Sequence, residues 1–220
     1  YKTKTLVSGL GQLNKPTKPL FEGSDKFKGP SFHSAEWDHS CDLKGKKVGV
    51  IGTGPSAVGF IPKIAENVEE LIIFQRTPNW ILPKPDRKFN NIEKWLLKNM
   101  PFFGKIYRYY EYLMSERLYF AFFVKQNKIS SMFERIISNL TTGFKINNMS
   151  SMYQQGQKML LDAQISDELL RKKLTPNYPV GCKRVIPTND FFPTLERENV
   201  FLETKSISRF NEDSIVDIVK

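Results

Sequence analysis

The stretch Lys46-Lys-Val-Gly-Val-Ile-Gly-Thr-Gly-Pro-Ser-Ala57 decides the fold. Its first half is a short run rich in Val and Ile, the pattern of a buried strand, and it ends on glycines at 52 and 54. Gly52 permits a tight turn out of the strand, Gly54 lets an anionic group approach the backbone, and the small Ala57 lets a helix pack closely on the strand. A helix that starts here leaves N–H groups without intrahelical partners and carries a partial positive charge, and both favour a phosphate. The helix is expected to run through about Glu66, and Leu71-Ile-Ile-Phe74 supplies the second strand of a βαβ unit. Gly52, Thr53, Gly54, Pro55, Ser56 and Ala57 are therefore expected to cradle the pyrophosphate of a dinucleotide.

The end of that second strand reads Phe74-Gln-Arg-Thr77. In such units an acidic residue here holds the ribose hydroxyls of NAD, and a basic one holds the 2′-phosphate of NADP. Arg76 offers a planar guanidinium fork to phosphate and Thr77 a hydroxyl, which favours NADP. Glu69 and Glu70 precede the strand at its opposite end and are expected to face solvent.

Working outward, 220 residues make one large domain or one domain with part of a second, at about 100–200 residues per domain. Hydrophobic residues form 40% of the chain, enough for a core and unlike a disordered chain. Lys and Arg number 33 against 23 Asp and Glu, and the net charge of +10 permits an anionic partner: nucleic acid, a membrane surface or a phosphorylated cofactor. The basic residues are scattered rather than gathered in one run, which counts against nucleic acid. With only Cys41 and Cys182 and no CxxC, a disulfide scaffold and a zinc ribbon are excluded, a disulfide-reductase centre is disfavoured, and reduced thiols fit a cytoplasmic protein. The longest apolar run, Tyr119-Phe-Ala-Phe-Phe-Val124, falls far short of the ~20 residues a membrane-spanning helix needs.

Before the central stretch, Lys2-Thr-Lys-Thr-Leu-Val7 reads as an alternating strand already in progress, and residues 11–46 as a long connection rich in Gly, Pro, Lys and Ser. After it, Ile92, Trp95, Leu96 and Met100 recur at helical spacing, and an aromatic segment over 106–124 follows, whose rings at that spacing are more often core but could also line substrate access, cover the nucleotide domain or touch a lipid surface. Thr141-Thr-Gly143 reads as a break and Ser166 as an N-cap. Strand signals return at Asn199-Val-Phe-Leu-Glu203 and Ser214-Ile-Val-Asp-Ile-Val219.

One further segment, Phe27-Lys-Gly-Pro-Ser-Phe-His33-Ser-Ala-Glu-Trp37-Asp38, gathers a histidine, a tryptophan and two carboxylates in a loop. By chemistry alone a lone histidine of this kind is more often a hydrogen-bonded structural group. The segment resembles, at every fixed position, the FxGxxxHxxxW(P/D) fingerprint of the Baeyer–Villiger monooxygenases, with Phe27, Gly29, His33, Trp37 and Asp38 in place. Related monooxygenases that oxygenate nitrogen and sulfur carry Tyr or Phe where this chain has Trp37. The likeness extends to Gly52–Ala57, to Phe74-Gln-Arg-Thr-Pro-Asn-Trp80 and to Leu174-Thr-Pro-Asn-Tyr-Pro-Val-Gly-Cys-Lys-Arg184, in the family's order.

The resemblance implies an enzyme in which NADPH reduces bound FAD, the reduced flavin captures O2 as a C4a-peroxyflavin, and one oxygen atom is inserted beside the carbonyl of a small-molecule ketone, giving an ester or lactone. It further implies that Arg184 stabilises the negative charge, a guanidinium being unable to surrender its proton. Lys183 is expected to join Arg76 and Thr77 around the 2′-phosphate, and the fingerprint residues to couple the nucleotide domains rather than move protons. The fold class expected is α/β: a Rossmann-like NADPH-binding domain with a helical insertion, plus remnants of a FAD-binding domain of the two-dinucleotide-binding-domain type.

On that reading residues 1–45 are flavin-domain remnant and linker, 46–90 the NADPH-binding βαβ unit, 91–175 the helical insertion, and 176–220 a return to the NADPH domain and the first strands back into the flavin domain. The family's earlier GxGxxG is not found before Lys46, so the chain as given is expected to be clipped at both ends and to bind FAD poorly. A flavin-dependent N- or S-oxygenase is the runner-up, with a basic nucleic-acid or membrane-surface module more distant. Neither the ketone nor the oligomeric state is legible in these residues.

Overall fold

The apolar runs and glycine turns become, in chain order, β1 (Lys47–Ile51), α1 (Pro55–Ile64), β2 (Glu70–Phe74), β3 (Ile81–Leu82), α2 (Asn91–Asn99), α3 (Pro101–Phe123), α4 (Met149–Gln164), α5 (Glu168–Leu174), β4 (Ile186–Pro187), α6 (Phe191–Leu195), β5 (Val200–Glu203), β6 (Ile207–Phe210) and β7 (Ile215–Asp217). This is a computed structural model that describes residues 2–7, 9, 11, 15–84, 86–123 and 149–218, with side chains in all of these but 117–123 and 149–152. The chain divides into two compact units, Tyr1–Arg76 with Arg197–Lys220, and Thr77–Glu196.

In the first unit β1, β2 and β5 form a parallel sheet in the order β1-β2-β5, with Val48 opposite Leu71 and Leu71 opposite Val200. Strand–helix–strand connectivity with parallel pairing is the Rossmann-like α/β arrangement expected from the sequence. Val58, Ile61 and Pro62 are the buried side of α1, and Leu71 and Ile73 are fully buried in β2. Each such aliphatic side chain contributes about 1.5–3 kcal/mol by leaving water. Asn199, just before β5, donates its amide to the carbonyls of Ala65 (3.0 Å) and Val68 (3.1 Å) and so closes the exit from α1.

Glu70 departs from expectation. As the first residue of β2 it stands opposite Lys47 in the ladder, is half-buried, and accepts a salt bridge from that lysine at 2.9 Å. The antiparallel pair β6 and β7 completes this unit, with Phe210 opposite Ile215. The loop of residues 21–28 wraps onto it: Phe210 N–H donates to Glu22 O and Lys28 N–H to Glu212 O, both at 2.8 Å. Gly23, at φ +75°, lies so close to the Phe210 carbonyl that a Cβ would overlap it. Residues 2–7 form no strand, and Leu6 and Val7 are each 87% exposed, because the alternation there finds no neighbouring strand to pair with.

In the second unit β3 and β4 pair in parallel, Ile81 opposite Ile186, tied by Ile186 N–H to Trp80 O and Thr188 N–H to Leu82 O, both at 2.9 Å. Trp80, Tyr153 and Val180 form a buried cluster with Leu82, Tyr178 and Val185 packed against it. Helix α2 starts at a full capping box, Asn90 accepting from Glu93 N–H and Glu93 from Asn90 N–H, and Arg87 clasps Glu93 with both guanidinium arms at 2.8 and 2.6 Å. Helix α5 is capped by Asp167, which accepts from Leu169 N–H, and not by Ser166. Ser166 is drawn away by Glu196, which accepts both its N–H and its hydroxyl.

The aromatic segment also departs from expectation over its described part. Phe102, Ile106, Tyr109, Tyr110 and Leu113 are 44–72% exposed, and the half-buried side of α3 carries Phe103, Gly104, Tyr107 and Met114. Helical spacing fixed which side chains share a face, while among the described residues its neighbours, α2 through Leu97 beside Gly104 and α4, cover only a narrow one. The break read at Thr141-Thr-Gly143 lies outside the described residues. Among the described residues no helix is long and apolar enough to cross a membrane.

Candidate functional site

The turn between β1 and α1 has the backbone that the sequence requires of it. Gly52 sits at φ +98°, a region an L side chain rarely adopts, and its N–H donates to Phe74 O at 2.9 Å, which fastens the turn to the last residue of β2. A Cβ on Gly52 or on Gly54 would meet nothing within 4 Å, so the space in front of the turn is open. Gly54 is the N-cap of α1 in extended conformation, with no side chain of its own to cap the helix, and Pro55 takes the first helical position. The first turn holds no acid, so its free N–H groups and the positive end of the dipole face that space unneutralised. Thr53 is buried, Ala57 half-buried, and Pro55 and Ser56 exposed. An open, acid-free helix start of this kind suits an anionic group. Among the described residues this is the sole strand–glycine turn–helix.

Arg76 follows β2 at its carboxyl end, the end of the parallel sheet from which the glycine turn also leaves. It is exposed and makes no ion pair among the described residues. Thr77 opens the second unit and is half-buried. Lys183 and Arg184 lie in that unit on the loop after Gly181, whose φ is +94°, immediately ahead of β4. Both are exposed, and Lys183 Nζ stands 5.1 Å from the ring centre of Tyr178. The structure thus gathers Gly52–Ala57 and Arg76 at one sheet edge of the first unit, and Thr77, Lys183 and Arg184 in the second.

The segment Phe27–Asp38 is held by its own aromatic rings. Phe27 stands edge-on to Phe210 at 5.8 Å, and a Cβ on Gly29 would come within 2.6 Å of the Phe27 ring, so a side chain there would have to displace that ring. Trp37 packs edge-on against Phe32 at 5.3 Å and against Phe60 of α1 at 5.2 Å. His33 accepts the Ala35 N–H on Nδ1 at 3.0 Å, which commits that lone pair to the turn. Asp38 accepts the Ser40 hydroxyl (2.6 Å) and N–H (2.9 Å), and these bonds hold its carboxyl below the usual value. A carboxylate kept ionised by its own turn is a poor proton donor. The segment borders a cavity of about 420 Å³ lined by Phe27, Phe32, Trp37, Val48, Phe60 and Phe210 among others.

Sequence reasoning missed two side chains that set the second unit's geometry. Gln157 of α4 is 1% exposed; it accepts Ile81 N–H at 2.9 Å and donates to Leu174 O at 3.3 Å, locking the start of β3 to the end of α5. Tyr178 donates its hydroxyl to Pro78 O at 2.8 Å and accepts Trp80 Nε1–H on its carbonyl at 3.0 Å. A glutamine on a helix carries no local signal of such a role, and Tyr178 had only its place in the Leu174–Arg184 segment.

The family described as flavin-binding monooxygenase-like matches residues 5–150. A Baeyer–Villiger monooxygenase of Pseudomonas aeruginosa is 36% identical over 217 residues, which is 99% of this chain and 37% of that protein. One of Streptomyces coelicolor is 35% identical over 211 residues, 96% of this chain and 37% of that protein. The chain therefore spans well under half the length of these relatives. Among solved structures, a crystal structure of OTEMO in complex with FAD and NADP superposes with a TM-score of 0.68 at 25% identity, covering 95% of this chain and 43% of that one. Cyclohexanone monooxygenase from Rhodococcus sp. Phi1, bound to NADP+, shares the fold at a TM-score of 0.66 and 20% identity, covering 94% and 42%.

Proposed function

Since the chain belongs to the flavin-binding monooxygenase-like family, we propose that it is the NADPH-binding part of a Baeyer–Villiger monooxygenase acting on a ketone with O2 in a cytoplasmic setting. The observation that carries this reading is the fingerprint segment, whose Trp37 is seated on the helix that opens at the glycine turn. The names of the relatives over nearly the whole chain support it.

When bound, FAD reduced by NADPH supplies the oxygen-activating chemistry. The chain's own residues bind, orient and shield. Gly52, Thr53, Gly54, Pro55, Ser56 and Ala57 receive the pyrophosphate on the start of α1. Arg76, Thr77 and Lys183 hold the 2′-phosphate, Arg76 by a guanidinium with no carboxylate partner among the described residues. Arg184 holds negative charge at the reacting oxygen as a permanent cation. Phe27, Gly29, His33, Trp37 and Asp38 form a strap between α1 and the β6–β7 pair, with no proton to transfer from Asp38. Residues 1–45 and the last strands then belong to the flavin-domain side, and 91–175 to a helical insertion.

The test is Arg184→Ala in a protein of the relatives' full length that carries this chain. Reduction of flavin by NADPH is expected to persist and ester or lactone formation to cease. Undiminished ketone oxygenation in the variant would refute the role.

A further inference from the structure

We infer that Tyr178 is a positioning residue for Lys183 and through it sets the preference for NADP over NAD, an inference that rests on the NADP-binding reading proposed above. Tyr178 touches both sides of the place where the 2′-phosphate is proposed to sit in the second unit. Its hydroxyl donates to the carbonyl of Pro78, the residue directly after Thr77, at 2.8 Å. Its ring lies under the ammonium of Lys183 at 5.1 Å. One side chain therefore ties the Thr77 segment to the loop that carries Lys183.

The tyrosine is itself fixed. Trp80, 6% exposed, donates its indole N–H to the Tyr178 carbonyl at 3.0 Å and stands edge-on to the ring at 6.3 Å. Behind it, the β3–β4 pairing holds the two segments in parallel. Burial pushes the phenol above its usual value, so the hydroxyl keeps its proton as donor.

Lys183 is exposed and has a long flexible stem, so without support it has much rotamer freedom to lose when it meets a phosphate. A π face beneath the ammonium restricts the stem beforehand and leaves the outward N–H groups free. That preorganisation serves the phosphate that distinguishes NADP from NAD and nothing in NAD itself. It predicts a selective effect, where a merely structural tyrosine predicts a uniform one.

The experiment measures NADP+ and NAD+ affinity by calorimetry for the unmutated protein, Tyr178→Leu, Tyr178→Phe, Lys183→Met and the double variant Tyr178→Leu/Lys183→Met. Tyr178→Leu is expected to weaken NADP+ by about fivefold and leave NAD+ unchanged. Tyr178→Phe, which keeps the ring, is expected to retain the preference, and Tyr178→Leu to add nothing once Lys183 is Met. Equal weakening of both nucleotides, or an undiminished effect in the Lys183→Met background, overturns the inference. Should Tyr178→Leu not fold, the Lys183 ε-methylene protons decide: a ring-current upfield shift by NMR in the unmutated protein supports the contact, and coil-like shifts overturn it. If the unmutated protein binds both nucleotides equally and Lys183→Met changes nothing, the NADP reading fails and takes the inference with it. Lost discrimination in Lys183→Met but not in Tyr178→Leu removes the role of Tyr178 alone.

Discussion

Trp37 meets Phe60 edge-on, ring centres 5.2 Å apart at an interplanar angle of 71°, and through this contact the loop of residues 27–38 rests on the helix that opens at the glycine turn. Trp37 is half-buried, so truncation is expected to cost about 2 kcal/mol rather than the upper range for a fully buried ring. In a double-mutant cycle with Phe60→Ala, the coupling should be about 0.5–1.5 kcal/mol, read from urea unfolding. A coupling indistinguishable from zero would mean that the loop does not rest on α1 in solution.

Gly54 separates stability from binding. Its φ of −66° and the open space at its Cβ accept a side chain, and Asp is among the best N-caps. Gly54→Asp should therefore leave the melting temperature unchanged or slightly raised. The same carboxylate would face the proposed pyrophosphate and should weaken NADP+ by about tenfold or more. Unaltered NADP+ affinity in the variant would show that the pyrophosphate does not sit on α1.

Gln157→Leu keeps the volume and removes the acceptor for Ile81 N–H and the donor to Leu174 O. Orphaning a buried N–H should destabilise the protein by about 1–3 kcal/mol in thermal or urea unfolding. A loss below about 0.5 kcal/mol would mean that water reaches this site and replaces the glutamine.

The start of α2 should be acid-sensitive. The guanidinium of Arg87, with the Asn90 N–H, lowers the Glu93 carboxyl from 4.5 to about 2. A folded-state value below the unfolded one adds stability that is present above pH 4.5 and lost as the pH falls from there toward 2. Backbone NMR shifts of residues 90–96 should hold steady from neutral pH down to that window and then move, and Glu93→Gln should abolish the transition. Movement that starts near neutral pH would point to another group.

The parts of the fold that were legible in the sequence are those set by near neighbours. Glycines at 52 and 54 before a proline announce a strand turning into a helix, because only a glycine takes φ +98° without strain and a proline suits the first helical turn. The strands read at 46–51, 71–74 and 199–203 declared themselves by apolar runs, and the observed ones differ from them by a residue at the start, Glu70 joining β2. Arg76 was legible as a cation at a strand end because β2 is short and its limits are clear. Ser166 illustrates where this stops: locally it is a good N-cap, and Glu196, distant in sequence, takes its hydrogen bonds instead. The aromatic segment is a second case, since periodicity says which rings share a face and nothing about whether a partner covers it.

By itself, then, the sequence determined the βαβ unit and its glycine turn, since these follow from backbone sterics and side-chain period over a few residues. Only the tertiary structure decided that Trp37 rests on Phe60, that Gln157 closes on Ile81, and that Tyr178 lies between Pro78 and Lys183. Two of those contacts, Gln157 to Ile81 and Tyr178 to Pro78, join residues 76 and 100 positions apart. No local propensity selects one such partner among many, and the choice is made when the elements pack and every buried polar group must find its bond.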